Sequence, residues 1–188
     1  DYMNKLGIYL LFSVSLFISG CSKNQIGRMI YSTKNTKASD YINEGFRYQD
    51  NFADELARKS FQNAIDADPE FAFAYYCLAW ITPDRIERDK IVKLGEQYLS
   101  NANSGEKSMI DPMVKAMSGD EINWQEWVEK FSPLYPNETR YINFMCNIAN
   151  NAGDKEKAEV YYTKSHSIKE NADALNSQAY FYNCTFNT

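Results

Sequence analysis

The chain has one histidine, His166, in 188 residues, so a histidine-based metal site has no ligand set. It has no glycine-rich phosphate loop and no nucleophile elbow, which removes the commonest signatures of phosphoryl and acyl transfer. Lys164 and Lys169 flank His166 in sequence, and the imidazole reads as a surface or helix-terminal cation beside the negative end of a helix dipole. Asp66 with Asp68 and Glu126 with Glu129 stand at spacings ordinary for solvated helix faces, and nothing selects a catalytic acid pair. The sequence therefore does not read as an enzyme, and no cofactor is implied. Nor does it carry an excess of positive charge. With 20 basic and 25 acidic residues the net charge is -5, and no basic stripe with interleaved aromatics offers a footprint for nucleic acid. No pair of cysteines forms a C-x2-C arrangement. Beyond Cys21 the cysteines are Cys77, Cys146 and Cys184, each inside an apparent helix, where the side chain behaves as a small hydrophobe; one pairing among them stays open.

A long apolar run is also missing. The longest, residues 6–18, is shorter than the roughly 18 or more residues a membrane span needs. It follows Met3-Asn4-Lys5 and leads into Ile18-Ser19-Gly20-Cys21, so a basic start, an apolar stretch and small residues before a cut site make residues 1–20 a secretory signal. An uncleaved transmembrane helix is the alternative, and the length of the run speaks against it. The last four of these residues resemble the lipobox of bacterial lipoproteins. That resemblance implies a diacylglycerol thioether on Cys21, cleavage before it, and acylation of the new amine. Several acyl chains hold a protein to a bilayer more firmly than one, because each buried methylene adds about 0.8 kcal/mol. Ser22 after the lipidated cysteine implies the outer membrane in preference to the inner one. Residues 21–37 then read as a polar tether, with lysine and arginine but no acidic residue.

What is plentiful is apolar and aromatic surface. At 44% apolar, 15% aromatic and 24% charged, the chain can build the core of one helical domain. Residues 38–188 are expected to be that domain. Between Tyr41 and Pro69 the sequence reads Tyr41-x2-Glu44-Gly45-x2-Tyr48, then Ala57-x3-Phe61, Ala64 and Pro69. This resembles the tetratricopeptide (TPR) pattern W-x2-L-G-x2-Y…A-x3-F…P. Small residues at Gly45, Ala57 and Ala64 let two helices approach, and Tyr48 and Phe61 fill the space between them. The resemblance implies an all-α fold, a solenoid of helical hairpins following the signal helix. It predicts regular repeats at about 38–71 and 139–172, with divergent ones between.

The first repeat pairs helices over 38–50 and 53–66. Tyr75, Leu78 and Ala79 recur near the TPR period, and predict a helix over 70–81 followed by one over 84–99. Asn101-Ala102-Asn103-Ser104-Gly105 is expected to break the chain. Residues 106–117 form a weaker helix, with a kink or early end expected at Pro112, and 124–134 its partner, where Trp127 and Phe131 take the places of the small residue and the aromatic. Helices over 138–151 and 155–169 restore the pattern. A last helix over 173–183 has no partner of its own, and solenoids normally end on a polar cap.

TPR proteins present residues of the first helix of each hairpin on a concave face. Carried onto this sequence, those positions give Ile42, Phe46, Phe73, Tyr76, Trp80, Arg140, Asn143 and Asn147. Such a face suits an extended or helical peptide, because aromatics bury apolar side chains and asparagines pair with main-chain amides. The lysine and asparagine of chaperone-binding TPRs are replaced here by Ile42 and Phe46, so that clamp is absent. The resemblance thus implies an envelope lipoprotein that scaffolds another protein at a membrane surface. The alternative is an accessory lipoprotein whose aromatic concave face, with Tyr76 and Trp80, stacks on glycan.

Overall fold

The structure, a computed structural model, describes residues 27–168. The signal sequence, Cys21, the helix expected over 173–183 and Cys184 lie outside these residues. The described chain is all-α, with no strand among its residues. In order it forms α1 (Thr36–Asp50), α2 (Asp54–Ala67), α3 (Ala72–Trp80), α4 (Arg85–Glu96), a 3-10 turn at Leu99–Asn101, α5 (Ser104–Ser118), α6 (Trp124–Phe131), α7 (Thr139–Asn151) and α8 (Lys155–Ile168). None of these helices is long and apolar enough to cross a membrane.

Helix α1 packs on α2, α3 on α4, and α7 on α8, as the pairing of the sequence pattern predicts. The α1–α2 contact is close for a reason that a single atom measures. A Cβ placed on Gly45 would stand 2.3 Å from Cε1 of Phe61, so only glycine admits the Phe61 ring there. Phe61 and the two alanines of the same stripe, Ala57 and Ala64, have no exposed surface. Gly95 plays the same part between α4 and α3, where an added Cβ would meet Cβ of Tyr75 at 2.8 Å. Helix α3 is buried from Ala72 to Ala79 on every side, which marks it as the central element of the core.

The middle of the chain departs from the expected hairpin. Helix α5 lies chiefly against α3, and α6 chiefly against α7. Trp127 stands where the repeat pattern has a small residue, and its bulk keeps α6 from closing on α5 as α1 closes on α2. The breaker expected at 101–105 is instead a helix start. Asn103 accepts the amide of Glu106 through its side chain while Glu106 accepts the amide of Asn103, a reciprocal capping box. Helix α5 also runs through Pro112 without ending. A proline in a helix interior withholds the hydrogen bond that would reach the carbonyl four residues back, here that of Ser108. The indole Nε1 of Trp127 donates to that carbonyl at 2.7 Å. The large residue that disrupts the hairpin thus satisfies the acceptor the proline leaves open.

A second correction concerns residues 27–35, expected as part of a solvated tether. They lie against the helices as an extended strap. Its end, Asn35, caps α1 by accepting from the amides of Lys37 and Ala38, and so the first helix begins two residues before the expected boundary.

Candidate functional site

The strap crosses from α7 to the start of α1, and its hydrogen bonds go to elements far away in sequence. At its first residue, the carbonyl of Gly27 accepts from the amide of Asn137 at 2.9 Å. The amide of Met29 donates to Oε2 of Glu138 at 3.2 Å, and the amide of Ser32 to Oε1 of Glu106 at 2.7 Å. Between them the carbonyl of Ile30 accepts from the Asn103 side chain at 2.7 Å. Thr33 donates its hydroxyl to Asp68, and the side chain of Asn35 reaches the carbonyl of Ala67 at 2.6 Å. Met29 is buried, its Cγ only 2.8 Å from where a Cβ on Gly105 would stand.

Tyr31 is the aromatic anchor of the strap. Its ring lies 5.9 Å from that of Phe71, 5.8 Å from that of Phe73, and its hydroxyl donates to Oδ1 of Asn43 at 2.9 Å. The guanidinium of Arg140 sits among the same rings, 4.4 Å from the centre of Phe46, 5.7 Å from Tyr31 and 5.9 Å from Phe73. Cations over aromatic faces at these distances are attracted by the ring quadrupole, more so when desolvated. Arg140 also holds Glu138 in an ion pair of 2.7 Å, with 13% and 6% of the two side chains exposed. Its Nη1 is buried without a hydrogen-bond partner.

The buried charges answer one another. Burial works against the charge of Arg140, but Glu138 outweighs it and holds the guanidinium above its ordinary value. Burial likewise pushes Glu138 upward, yet the charge and hydrogen bond of Arg140, with the amide of Met29, keep its carboxyl below the usual range. Glu106 has no ion pair of this kind, and Lys107 is the smallest of the influences that lower it. Burial raises its carboxyl, and the amides of Ser32 and Asn103 only partly offset that. A cleft of about 630 Å³ remains open beside the strap, lined by Tyr31, Ser39, Asn43, Phe46, Glu138 and Arg140 among others.

The residues expected on a concave face are distributed unequally. Phe46 and Arg140 do meet at this cleft, and Ser39 lines it with them. Phe73 and Tyr76 are fully buried, and Ile42 has no exposed surface, so these belong to the core. The physical reason is the strap, together with α4 and α5, which cover what the repeat pattern leaves open. Trp80 is partly buried against Trp124, 6.3 Å away, while Trp124 in turn stacks on Phe144 at 5.1 Å. Asn143 turns to α8, accepting from the hydroxyl of Ser165 at 2.8 Å. The side chain of Asn147, like that of His166, lies outside what is described.

Glu106, Glu138 and Tyr31 were not singled out by the sequence pattern. The Asn103-x2-Glu106 spacing was a capping signal, and the apolar Met29-Ile30-Tyr31 inside a polar stretch was a signal for docking. Cys77 is a buried thiol, raised by desolvation, and Sγ of Cys146 donates to the carbonyl of Ala158 at 3.5 Å. Among the described residues no group of histidine, cysteine and carboxylate side chains is placed to hold a metal ion. Comparisons with family models, with curated proteins and with solved structures gave no match.

Proposed function

We propose that this chain is a TPR-like scaffold of the bacterial envelope, held by lipid at Cys21 and receiving a segment of another protein on the surface around Phe46 and Arg140. The observation that supports the repeat reading most directly is the Gly45–Phe61 contact. There a glycine of the first helix and an aromatic of the second meet at the spacing the repeat pattern requires. The paired helices α1–α2, α3–α4 and α7–α8 agree with it. For the binding role, the support is a cleft with an aromatic and cationic wall, into which main-chain and side-chain donors can reach. The anchor is supported by the sequence at 18–21, and the outer membrane by Ser22.

Two measurements on the full chain in a bacterial host test the reading. Labelled palmitate should enter the intact protein and not a Cys21→Ser variant, and the variant should leave the membrane fraction. A photo-crosslinking residue at Asn43, which is exposed at the cleft, should capture one defined envelope protein, and capture should fall on Phe46→Ala. Palmitate labelling that ignores Cys21 overturns the anchor. Absence of any cleft-dependent crosslink overturns the scaffold. Binding of purified protein to cell-wall glycan, with quenching of its tryptophan fluorescence, would favour the glycan reading through Trp80.

A further inference from the structure

The strap itself shows what the cleft recognises. Between Met29 and Ser32 the backbone offers two amide donors three residues apart, and each meets one oxygen of a buried carboxylate, Glu138 and Glu106. The carbonyl between them meets an asparagine side chain, and the ring at the intervening position meets a cation and two phenylalanines. Most of these contacts read main chain, not side chains. The side-chain exceptions are the buried Met29 beside Gly105, the ring of Tyr31 and, further along, the Thr33 hydroxyl on Asp68. Charge agrees, because Arg28 and Lys34 flank a strap that has no acid, while Asp68, Glu106 and Glu138 receive it.

We propose that residues 29–33 are a displaceable resident of a peptide channel. The partner it fits is an extended, neutral-to-basic segment of another protein, with an aromatic residue followed directly by an amide aimed at Glu106. The proposal rests on the scaffold reading above and names the chemistry of its ligand. A partner segment replaces the strap by taking over the two carboxylates and the ring site over Arg140. While the strap is seated, the channel is closed to other chains, and a cleft of about 630 Å³ lies open beside it. Competition for one site makes the apparent affinity for a partner fall by the fraction of molecules whose strap is released.

The test uses the full chain in detergent and a fluorescent peptide copying residues 28–34. In the protein, Met29→Pro with Ser32→Pro removes both strap amides and leaves every channel residue intact. The peptide should bind this variant at least 10-fold more tightly than the wild chain. A peptide with alanine in place of its tyrosine should lose that gain. Equal affinity for both proteins, or no binding to a variant whose circular dichroism is that of the wild chain, overturns the proposal. Should the variant not fold, hydrogen exchange of the wild chain decides. Amides of Met29 and Ser32 that exchange well before those of α3 support a releasable strap, and exchange in step with α3 overturns it. A strap-exchanged dimer seen on sizing of the proline variant would make a second copy the occupant and overturn the commitment to a different protein. Peptide binding without an envelope crosslink at Asn43 would leave the channel chemistry standing and remove the scaffold reading, so the two failures are separable.

Discussion

Arg140→Met is the perturbation that asks most of the reasoning about the channel. The ion pair with Glu138 is 2.7 Å long, and both side chains are almost fully removed from water. Methionine keeps much of the length of arginine and its contact with Phe46, and it deletes the charge. Glu138 is then left with main-chain amides alone, those of Met29 and residue 140, as its donors. Breaking a buried pair by removing one member costs about 3–5 kcal/mol, because the survivor is an uncompensated charge in a poor solvent. Against a typical domain stability of about 5–15 kcal/mol, that is a large fraction. The midpoint of urea unfolding at pH 7.5 should fall accordingly.

The pH dependence separates this cause from loss of packing. In the wild chain Glu138 is held below its usual value, so its contribution is present above its unfolded value of about 4.3 and is lost as pH falls through the folded one. Without the Arg140 side chain the burial of Glu138 is opposed only by main-chain amides, and its carboxyl is expected to rise. The sign reverses, and the variant regains stability on acidification, as Glu138 takes up a proton. The gap between variant and wild chain should therefore be widest near pH 7.5 and narrow toward pH 4.5. Adding Glu138→Gln to Arg140→Met should recover about 2 kcal/mol at pH 7.5, since the neutral amide carries no stranded charge. A loss below about 1 kcal/mol, or a gap that does not change with pH, would refute the account of Arg140 as the counter-charge of a buried carboxylate.

Two further predictions concern the scaffold on which the channel is built. Gly45→Ala places a methyl carbon 2.3 Å from a ring atom of fully buried Phe61, so overpacking should cost about 1–3 kcal/mol or more, read as a drop in Tm; an unchanged Tm would mean α1 and α2 can part freely. Trp127→Phe withdraws the donor from the Ser108 carbonyl and should cost about 1–3 kcal/mol by denaturant unfolding. Pro112→Ala in that background returns a backbone N–H four residues on and should recover part of it, whereas strictly additive effects would show that the indole and the proline are independent.

The first hairpin was legible because its signals are local and agree with one another. Gly45, Ala57, Phe61 and Pro69 each specify the same two helices, and α1 and α2 follow within two residues at each end. The helices of the middle were legible, but their partners were not. A tryptophan at a small-residue position says that close packing fails there without saying what replaces it. Pro112 read as a break, since a sequence cannot show that a side chain from α6 will satisfy the carbonyl it frees. The channel was the least legible part. Phe46 and Arg140 were found by repeat position, but Glu106 and Glu138 act through main-chain amides of the strap 74 and 109 residues away, a pairing that leaves no periodic trace. Ile42, Phe73 and Tyr76 stand at binding-face positions of the repeat and are nevertheless buried, Phe73 against the strap ring of Tyr31 and Tyr76 against Gly95 of α4, covers that the repeat pattern does not announce.

That same sequence separation bears on how the strap can move. The hairpins are made of contacts between neighbours in the chain, which form early and at low entropic cost. The strap closes loops of 12 to 140 residues, with hydrogen bonds to Asn43 and Ala67 and, at its other end, to Ile168. Apart from Met29 and the ring of Tyr31, it buries little apolar surface, and Ile30 is 76% exposed. A segment held mainly by dispersed hydrogen bonds opens at a lower free energy than a core helix does. The pairs α1–α2, α3–α4 and α7–α8 each rest on contacts of the two helices with one another. The cost of leaving falls on Glu106 and Glu138, whose oxygens lose their strap donors, and this cost disappears when a second chain supplies the same amides. Release alone is therefore disfavoured while exchange is close to neutral, which is the energetic condition for a segment that yields its place to another protein and otherwise stays closed.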